Sequence, residues 1–288
     1  MDVCDIREIR ALLERHGFHF SKAKGQNFLI DSQIPREIAE EAGISRDCGV
    51  LEIGPGIGPL TRELCAHAGK VVAVEVDASL RPILAETMAG FDNLKILFRD
   101  ILKTDIPALV RECFPDLRPV ACANLPYYIT SPILAALLES RSFEAVTVMV
   151  QKEVAARICA PAGSPDYSAF TVFCQYYAQP ALLFEVPPTC FVPQPKVTSA
   201  VLKLTVRQAP VCEILDETLF FRVVKASFAV RRKTLLNGLS IGFPQLSRQA
   251  LADVLEACGL PPAVRGETLD IPGFASVSNA LFGRLCHD

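Results

Sequence analysis

The four residues Asn124-Leu125-Pro126-Tyr127 carry the most specific chemistry in this chain. An amide, a proline and an aromatic in that order suit attack by a planar, non-basic nitrogen. In adenine the N6 lone pair is spread into the ring, so the nitrogen is nucleophilic only when drawn towards a tetrahedral geometry. Acceptors aimed at its two N–H groups would do this: the side-chain oxygen of Asn124 and a backbone carbonyl at Leu125 or Pro126. Tyr127 would stack on the base, a contact worth about 1–3 kcal/mol and enough to hold a base outside its helix. No strong general base is needed, because the proton becomes acidic once the methyl has transferred, and in-line proximity would supply most of the rate. A second ring should face the first. Phe191, in the stretch Phe191-Val-Pro-Gln-Pro-Lys-Val197, is the candidate, on a loop stiffened by its prolines, with Lys196 beside it for a phosphate. The competing readings are an Asn-Pro turn with a core tyrosine for the first stretch and a plain proline-rich connection for the second.

A methyl donor needs its own crevice, and the stretch Val50-Leu-Glu-Ile-Gly-Pro-Gly-Ile-Gly-Pro-Leu-Thr61 reads as one. A short apolar run ends in an acid and a glycine turn, and a helical pattern follows. This is how an α/β domain opens a ligand site at the carboxyl end of its first strand. The glycines are spaced G-x-G-x-G, whereas the dinucleotide fingerprint would need a glycine where Pro59 stands, and no Lys-Ser or Lys-Thr follows to make a phosphate loop. Glu52 before the first glycine suits a ligand with a positive end, such as S-adenosylmethionine. Glu75 lies 21 residues beyond Gly54, near the spacing of ~20 at which an acid takes a ribose hydroxyl pair. Asp100 is placed for an adenine amine. Either acid could also be a helix cap.

The elements that must position these groups are legible as an alternation. Apolar runs at 49–53, 71–76, 94–98, 120–123 and 145–150 alternate with helical patterns, which predicts a parallel sheet with right-handed crossovers. Before them, 5–16 has helical spacing, 18–31 has neither period, and Asp31 looks like the cap of a helix to about Ala42. Residues 170–177 fit a helix. Runs 181–186 and 199–206 form a closing pair that leaves one antiparallel strand. After Arg207-Gln-Ala-Pro210 the texture changes, and 219–229, 234–239 and 247–258 read as helices. The expected fold class is α/β, a mostly parallel Rossmann-like sheet over 1–207, with a small all-helical C-terminal domain over 208–288.

With 288 residues, half of them hydrophobic, the chain has material for one large core and a small one. No uninterrupted apolar run reaches about 18 residues, so no membrane span is expected, and the acidic start is unlike a signal peptide. Eleven cysteines without a C-x-x-C pair and four histidines without ligand spacing point to reduced thiols in the cytoplasm and no metal. A net charge of −3 gives no global support for a nucleic-acid partner. Cations cluster locally instead: Arg222, Lys225, Arg231, Arg232 and Lys233 in one stretch, Arg15, Lys22 and Lys24 beside Phe18 and Phe20 in another. Each could be a polyanion face or a solvated helix face.

Six motifs in order carry a resemblance: Gly25-Gln-Asn-Phe-Leu-Ile-Asp31, Leu51-Glu-Ile-Gly-Pro-Gly56, Asn124-Leu-Pro-Tyr-Tyr-Ile-Thr130, Gln151-Lys-Glu-Val-Ala155, Phe191 to Ser199, and Phe228-Ala-Val-Arg-Arg-Lys-Thr-Leu235. Together they resemble the ribosomal RNA adenine N6-dimethyltransferases, most nearly the bacterial small-subunit type. The resemblance implies a class I methyltransferase fold and S-adenosylmethionine as donor. It implies dimethylation of two adjacent adenosines in a hairpin loop near the 3′ end of 16S rRNA, by a monomer acting on the 30S subunit or its precursor. Carried over by position, it implies Asn27, Leu29, Gly54, Glu75, Asp100 and Asn124 for the cofactor, and Asn124, Tyr127 and Phe191 around the base. The cations Lys22, Lys24, Lys196, Arg231, Arg232 and Lys233 are expected to meet RNA. The rivals are a 23S rRNA adenine methyltransferase of the macrolide-resistance type, which the Tyr127–Thr130 continuation and the 228–235 block disfavour, and a non-catalytic assembly factor. An NAD-linked oxidoreductase is disfavoured by the glycine spacing.

Overall fold

The computed structural model describes residues 1–20, 25–230 and 232–285. The chain divides into two compact units, one of Met1–Ala155 with Ala178–Val206, the other of Ala156–Tyr177 with Arg207–Asp288.

In the first unit the chain runs α1 (Ile6–Arg15), β1 (Phe28–Leu29), α2 (Gln33–Ala42), β2 (Cys48–Ile53), α3 (Pro59–His67), β3 (Lys70–Glu75), α4 (Arg81–Thr87), β4 (Leu94–Phe98), α5 (Ile106–Cys113), β5 (Arg118–Asn124), α6 (Thr130–Glu139) and β6 (Ala145–Gln151). Helix α7 (Lys152–Cys159) leads into the second unit, where α8 (Ala169–Tyr177) follows. The chain then returns to the first unit with β7 (Ala178–Val186), β8 (Phe191–Val192) and β9 (Ser199–Val206). The sheet order is β4-β3-β2-β5-β6-β9-β7. Strands β2 to β6 pair in parallel, and β9 pairs antiparallel with both β6 and β7. One reversed strand, β9, therefore lies between β6 and the edge strand β7, and the sequence predicts a single antiparallel strand.

Strand residues alternate between two buried faces. Cys48, Val50, Val71, Val120, Cys122 and Met149 share one core with side chains from α1 to α4. Leu51, Val72, Ala121 and Val148 are buried between them in sequence. A strand buried on both faces has no polar period, which is why these runs read as continuous hydrophobes. Observed ends differ from the expected ones by at most three residues, the largest shifts being the start of β7 at Ala178 and the end of the helix Leu235–Gly242. Helix α2 is capped at Ser32 without a side-chain bond, while Asp31 Oδ1 accepts the Gln33 N–H at 3.0 Å.

The second unit holds the end of α7, α8, and then α9 (Glu217–Ala229), α10 (Leu235–Gly242), α11 (Arg248–Ala257) and α12 (Ile271–Leu285). Residues 156–177 thus pack with the C-terminal helices, which differs from the expected single cut at 207/208. Aromatic packing accounts for this: Phe173, Tyr176, Tyr177, Phe220 and Phe221 stack edge and face with centroids 4.9–6.0 Å apart. Both tyrosines also donate to Glu217, Tyr176 at 3.0 Å and Tyr177 at 2.5 Å. Helix α12 adds to the three helices expected after 208. Its Phe274, Val277, Ser278 and Leu281 are buried at helical spacing.

Candidate functional site

The carboxyl ends of β2, β3 and β5 and the residues after β4 open onto one cavity of about 260 Å³. Its walls include Asn27, Leu29, Glu52, Gly54, Glu75, Asp100, Asn124 and Tyr127. Every residue expected to touch the cofactor, and two of the three expected at the base, therefore meet in one space.

Gly54 ends β2 with φ +70°, and its N–H donates to the Val74 carbonyl at 2.9 Å. A Cβ there would meet no atom within 4 Å, so the bare backbone faces open space. Gly58 caps α3 with φ +97°, and there a Cβ would stand 2.6 Å from Met88 Sδ. A methyl at the first glycine would stand in open space, whereas one at the third would have to displace the Met88 side chain.

Two buried carboxyls line the floor. Glu52 is 1% exposed, and its Oε2 has no hydrogen-bond partner among the described residues. Burial pushes its pKa up to about 8; Thr61 opposes this and the charge of Glu75 adds to it. The Thr61 hydroxyl lies outside hydrogen-bond geometry and is itself unpartnered. Glu75 is also raised by burial, opposed by backbone N–H groups, among them that of Asp77 at 2.7 Å. An orphaned buried carboxyl beside open backbone is suited to a cationic partner. The residues present fit a ligand that carries an ammonium or sulfonium charge.

Asp100 lines the cavity and also accepts the Leu102 N–H at 2.9 Å, so it serves as a cap while facing the site. Gln26 Nε2 donates to Asp77 Oδ2 at 2.8 Å, tying the N-terminal wall to the end of β3. Asn27 donates to the Gly25 carbonyl at 3.3 Å. Leu29 belongs to β1, which pairs antiparallel with β8. The aperiodic stretch before Asp31 thus gains a short strand that a two-residue pattern could not announce.

Asn124 closes β5, and its side-chain amide makes no hydrogen bond to another described residue. The Pro126 carbonyl accepts from the Ile129 N–H at 3.2 Å and the Thr130 hydroxyl at 3.1 Å. No described residue donates to the Leu125 carbonyl. Of the two backbone acceptors the sequence allowed, Leu125 is the free one. Tyr127 lines the cavity with its hydroxyl 2.6 Å from Ser199 Oγ. Burial raises the phenol pKa and the Ser199 bond opposes that rise.

Phe191 requires a correction. It is fully buried, pairs with Leu29 in register, and sits in the core with Phe28, Leu29 and Val186. It does not line the cavity, so it is not the ring opposite Tyr127 in this structure. The strand pair β1–β8 draws it into the core. Tyr128, 61% exposed and on the cavity wall, and Val76, also 61% exposed, are apolar wall groups that sequence reasoning did not single out. Ser199 was likewise missed, although a serine opening an apolar strand was a visible signal.

Of the expected RNA contacts, Lys22, Lys24 and Arg231 lie outside the described residues. Lys196, Arg232 and Lys233 are exposed, without an ion pair among the described residues. Arg222 is occupied: its guanidinium lies 4.3 Å from the Phe243 ring centroid and donates to the Gly242 carbonyl at 2.7 Å. No group of metal-ligating side chains occurs among the described residues, and no described helix is long and apolar enough to cross a membrane.

Comparison with known proteins bears on this geometry. A family model described as ribosomal RNA adenine dimethylase matches residues 17–271. A protein of Geobacillus thermodenitrificans named ribosomal RNA small subunit methyltransferase A is 48% identical over 284 residues, 97% of each chain. Its namesake in Shouchella clausii is 45% identical, covering 99% of this chain and 97% of its own. Among solved structures, a dimethyladenosine transferase from Plasmodium falciparum aligns with TM-score 0.71 at 27% identity, over 86% of this chain and 95% of its own. The 23S rRNA methyltransferase ErmE aligns with TM-score 0.67, also at 27% identity, over 88% and 99%.

Proposed function

The chain belongs to the ribosomal RNA adenine dimethylase family, and from that premise we propose that it methylates N6 of two adjacent adenosines in the 3′-terminal hairpin loop of 16S rRNA, twice each, using S-adenosylmethionine. The observation that carries the reading is one cavity lined by both the orphaned Glu52 with the open Gly54 backbone and the Asn124–Tyr127 loop. Donor and acceptor sites with a shared wall allow direct transfer.

Glu52, Gly54, Glu75, Asp100, Asn27 and Leu29 would hold the cofactor. Bound there, it supplies an electrophilic methyl on a sulfonium sulfur. Asn124 Oδ1 and the Leu125 carbonyl accept hydrogen bonds from N6, two at the first transfer and one at the second, and concentrate the lone pair on nitrogen. Tyr127 stacks on the flipped base, and the apolar wall of Pro126, Ile129 and Ile133 excludes water. The N6 proton leaves after transfer, so none of these side chains has to act as a strong base. Arg232, Lys233 and Lys196, with Lys22, Lys24 and Arg231, would meet RNA phosphates. The substrate would be the 30S particle or its precursor in the cytoplasm, met by a monomer, and free thiols at all ten described cysteines suit a reducing compartment.

The test is methyl transfer from labelled cofactor to unmethylated 30S particles, followed by nucleoside analysis. The expected product is N6,N6-dimethyladenosine in 16S rRNA. Label appearing in 23S rRNA instead would favour the large-subunit reading, and tight cofactor binding without transfer would favour a non-catalytic assembly factor.

A further inference from the structure

The Phe191–Ser199 stretch reaches the site through its last residue rather than its first. Ser199 opens β9 and is fully buried, with its Oγ 2.6 Å from the Tyr127 hydroxyl. Its backbone is held on both sides, in register with Gln151 of β6 and Val186 of β7. Tyr127 itself begins a single 3-10 turn, Tyr127–Ile129, fastened at Pro126 by the Ile129 and Thr130 bonds. The near end of the ring is therefore fixed by the turn and the far end by the sheet.

We propose that Ser199 is a positioning residue: its hydrogen bond to the Tyr127 hydroxyl holds the ring at the angle on which the target base stacks. This rests on the reading that Tyr127 holds that base. Phenylalanine would offer the same stacking face, so stacking alone does not explain a tyrosine at 127. A tethered ring does, because the reacting nitrogen has to lie in line with the methyl, and small misplacements of a reacting atom cost large factors in rate. The two hydroxyls also satisfy one another, and removing either leaves the other, in the case of Ser199 a fully buried one, without that partner.

The experiment compares full-length wild type with Tyr127→Phe, Ser199→Ala, their double variant, Ser199→Thr and Tyr127→Ala. Transfer to unmethylated 30S particles and cofactor affinity are measured below the melting temperature of every variant. Tyr127→Phe and Ser199→Ala should each lower kcat about tenfold to a hundredfold with cofactor Kd unchanged. The double variant should be no slower than either single one, because both remove the same bond, and Ser199→Thr should recover most of the loss. Wild-type kcat in Ser199→Ala, or losses that multiply in the double variant, would overturn the tether. So would full activity in Tyr127→Phe beside a Ser199→Ala protein that is only less heat-stable. Wild-type transfer by Tyr127→Ala would remove instead the base-holding role on which the tether depends.

Discussion

On the proposed reading, Asn124 and Glu52 divide the chemistry between an acceptor and a counter-charge. Replacing Asn124 by alanine deletes one of the two acceptors for the N6 hydrogens while removing no hydrogen bond to a described residue. Transfer should fall by roughly 100-fold or more, the scale for losing one preorganised partner of a reacting group, with the melting temperature nearly unchanged. Equal activity in the variant would end the nucleophile-activation argument. Glu52 makes a second prediction, in ligand-free protein. Its pKa is raised on folding from 4.5 to about 8, so the folded chain keeps a proton that the unfolded chain releases. The stability this contributes is complete below pH 4.5 and is lost as pH rises towards about 8, at up to about 1.4 kcal/mol per pH unit. Glu75, also raised by burial, acts with the same sign. Thermal melts across that window should show the decline, and Glu52→Gln should flatten it. A variant with an unaltered slope would mean that Glu52 is ionised without its ligand.

The glycine turn between β2 and α3 does two separable jobs. Gly54 and Gly58 both hold left-handed φ, and alanine at either costs about 1–2 kcal/mol for that alone. At Gly58 the methyl would also strike Met88, for a total of roughly 2–4 kcal/mol. At Gly54 the methyl would stand free at a residue lining the cavity. Gly58→Ala should therefore lose more stability in urea unfolding, and Gly54→Ala should lose more cofactor affinity by calorimetry. The reverse order would mean that the first glycine is a folding requirement only. The loop after β5 was the most readable element in the chain, because an Asn-Leu-Pro-Tyr order leaves few conformations and few chemistries. The choice between the Leu125 and Pro126 carbonyls was not readable, since it turns on hydrogen bonds that Ile129 and Thr130 donate only once the turn has formed.

An acidic chain that acts on RNA must concentrate its cations. Arg232 and Lys233 in the second unit and Lys196 in the first are exposed, while Arg222 is taken up by Phe243 and Gly242. Changing Arg232 and Lys233 together to alanine should weaken rRNA binding and lower the slope of log affinity against log salt by about 1.4–1.8, since each phosphate contact releases ~0.7–0.9 counterions. Binding across a salt series checks this, and an unchanged slope would place the pair outside the interface. Arg222→Ala should instead act through stability, because its guanidinium is already committed within its own unit.

Local order and chemistry were written in the sequence. Five parallel strands, the single reversed strand, the glycine crevice and the acids at the strand ends follow from apolar periods and short-range stereochemistry, and the structure gathers Gly54, Glu75, Asp100, Asn124 and Tyr127 on one cavity as those periods imply, together with Asn27 and Leu29, which only the family resemblance points to. Long-range pairing was not written there. The β1–β8 pair places Phe191 in the core and leaves Ser199, eight residues later, to touch Tyr127. The aromatic packing around Phe220 and Phe221 draws residues 156–177 into the helical unit. Each of these outcomes depends on which distant residue lies opposite, and a one-residue shift of register reverses which side chains face inward. Only the folded chain settles that register.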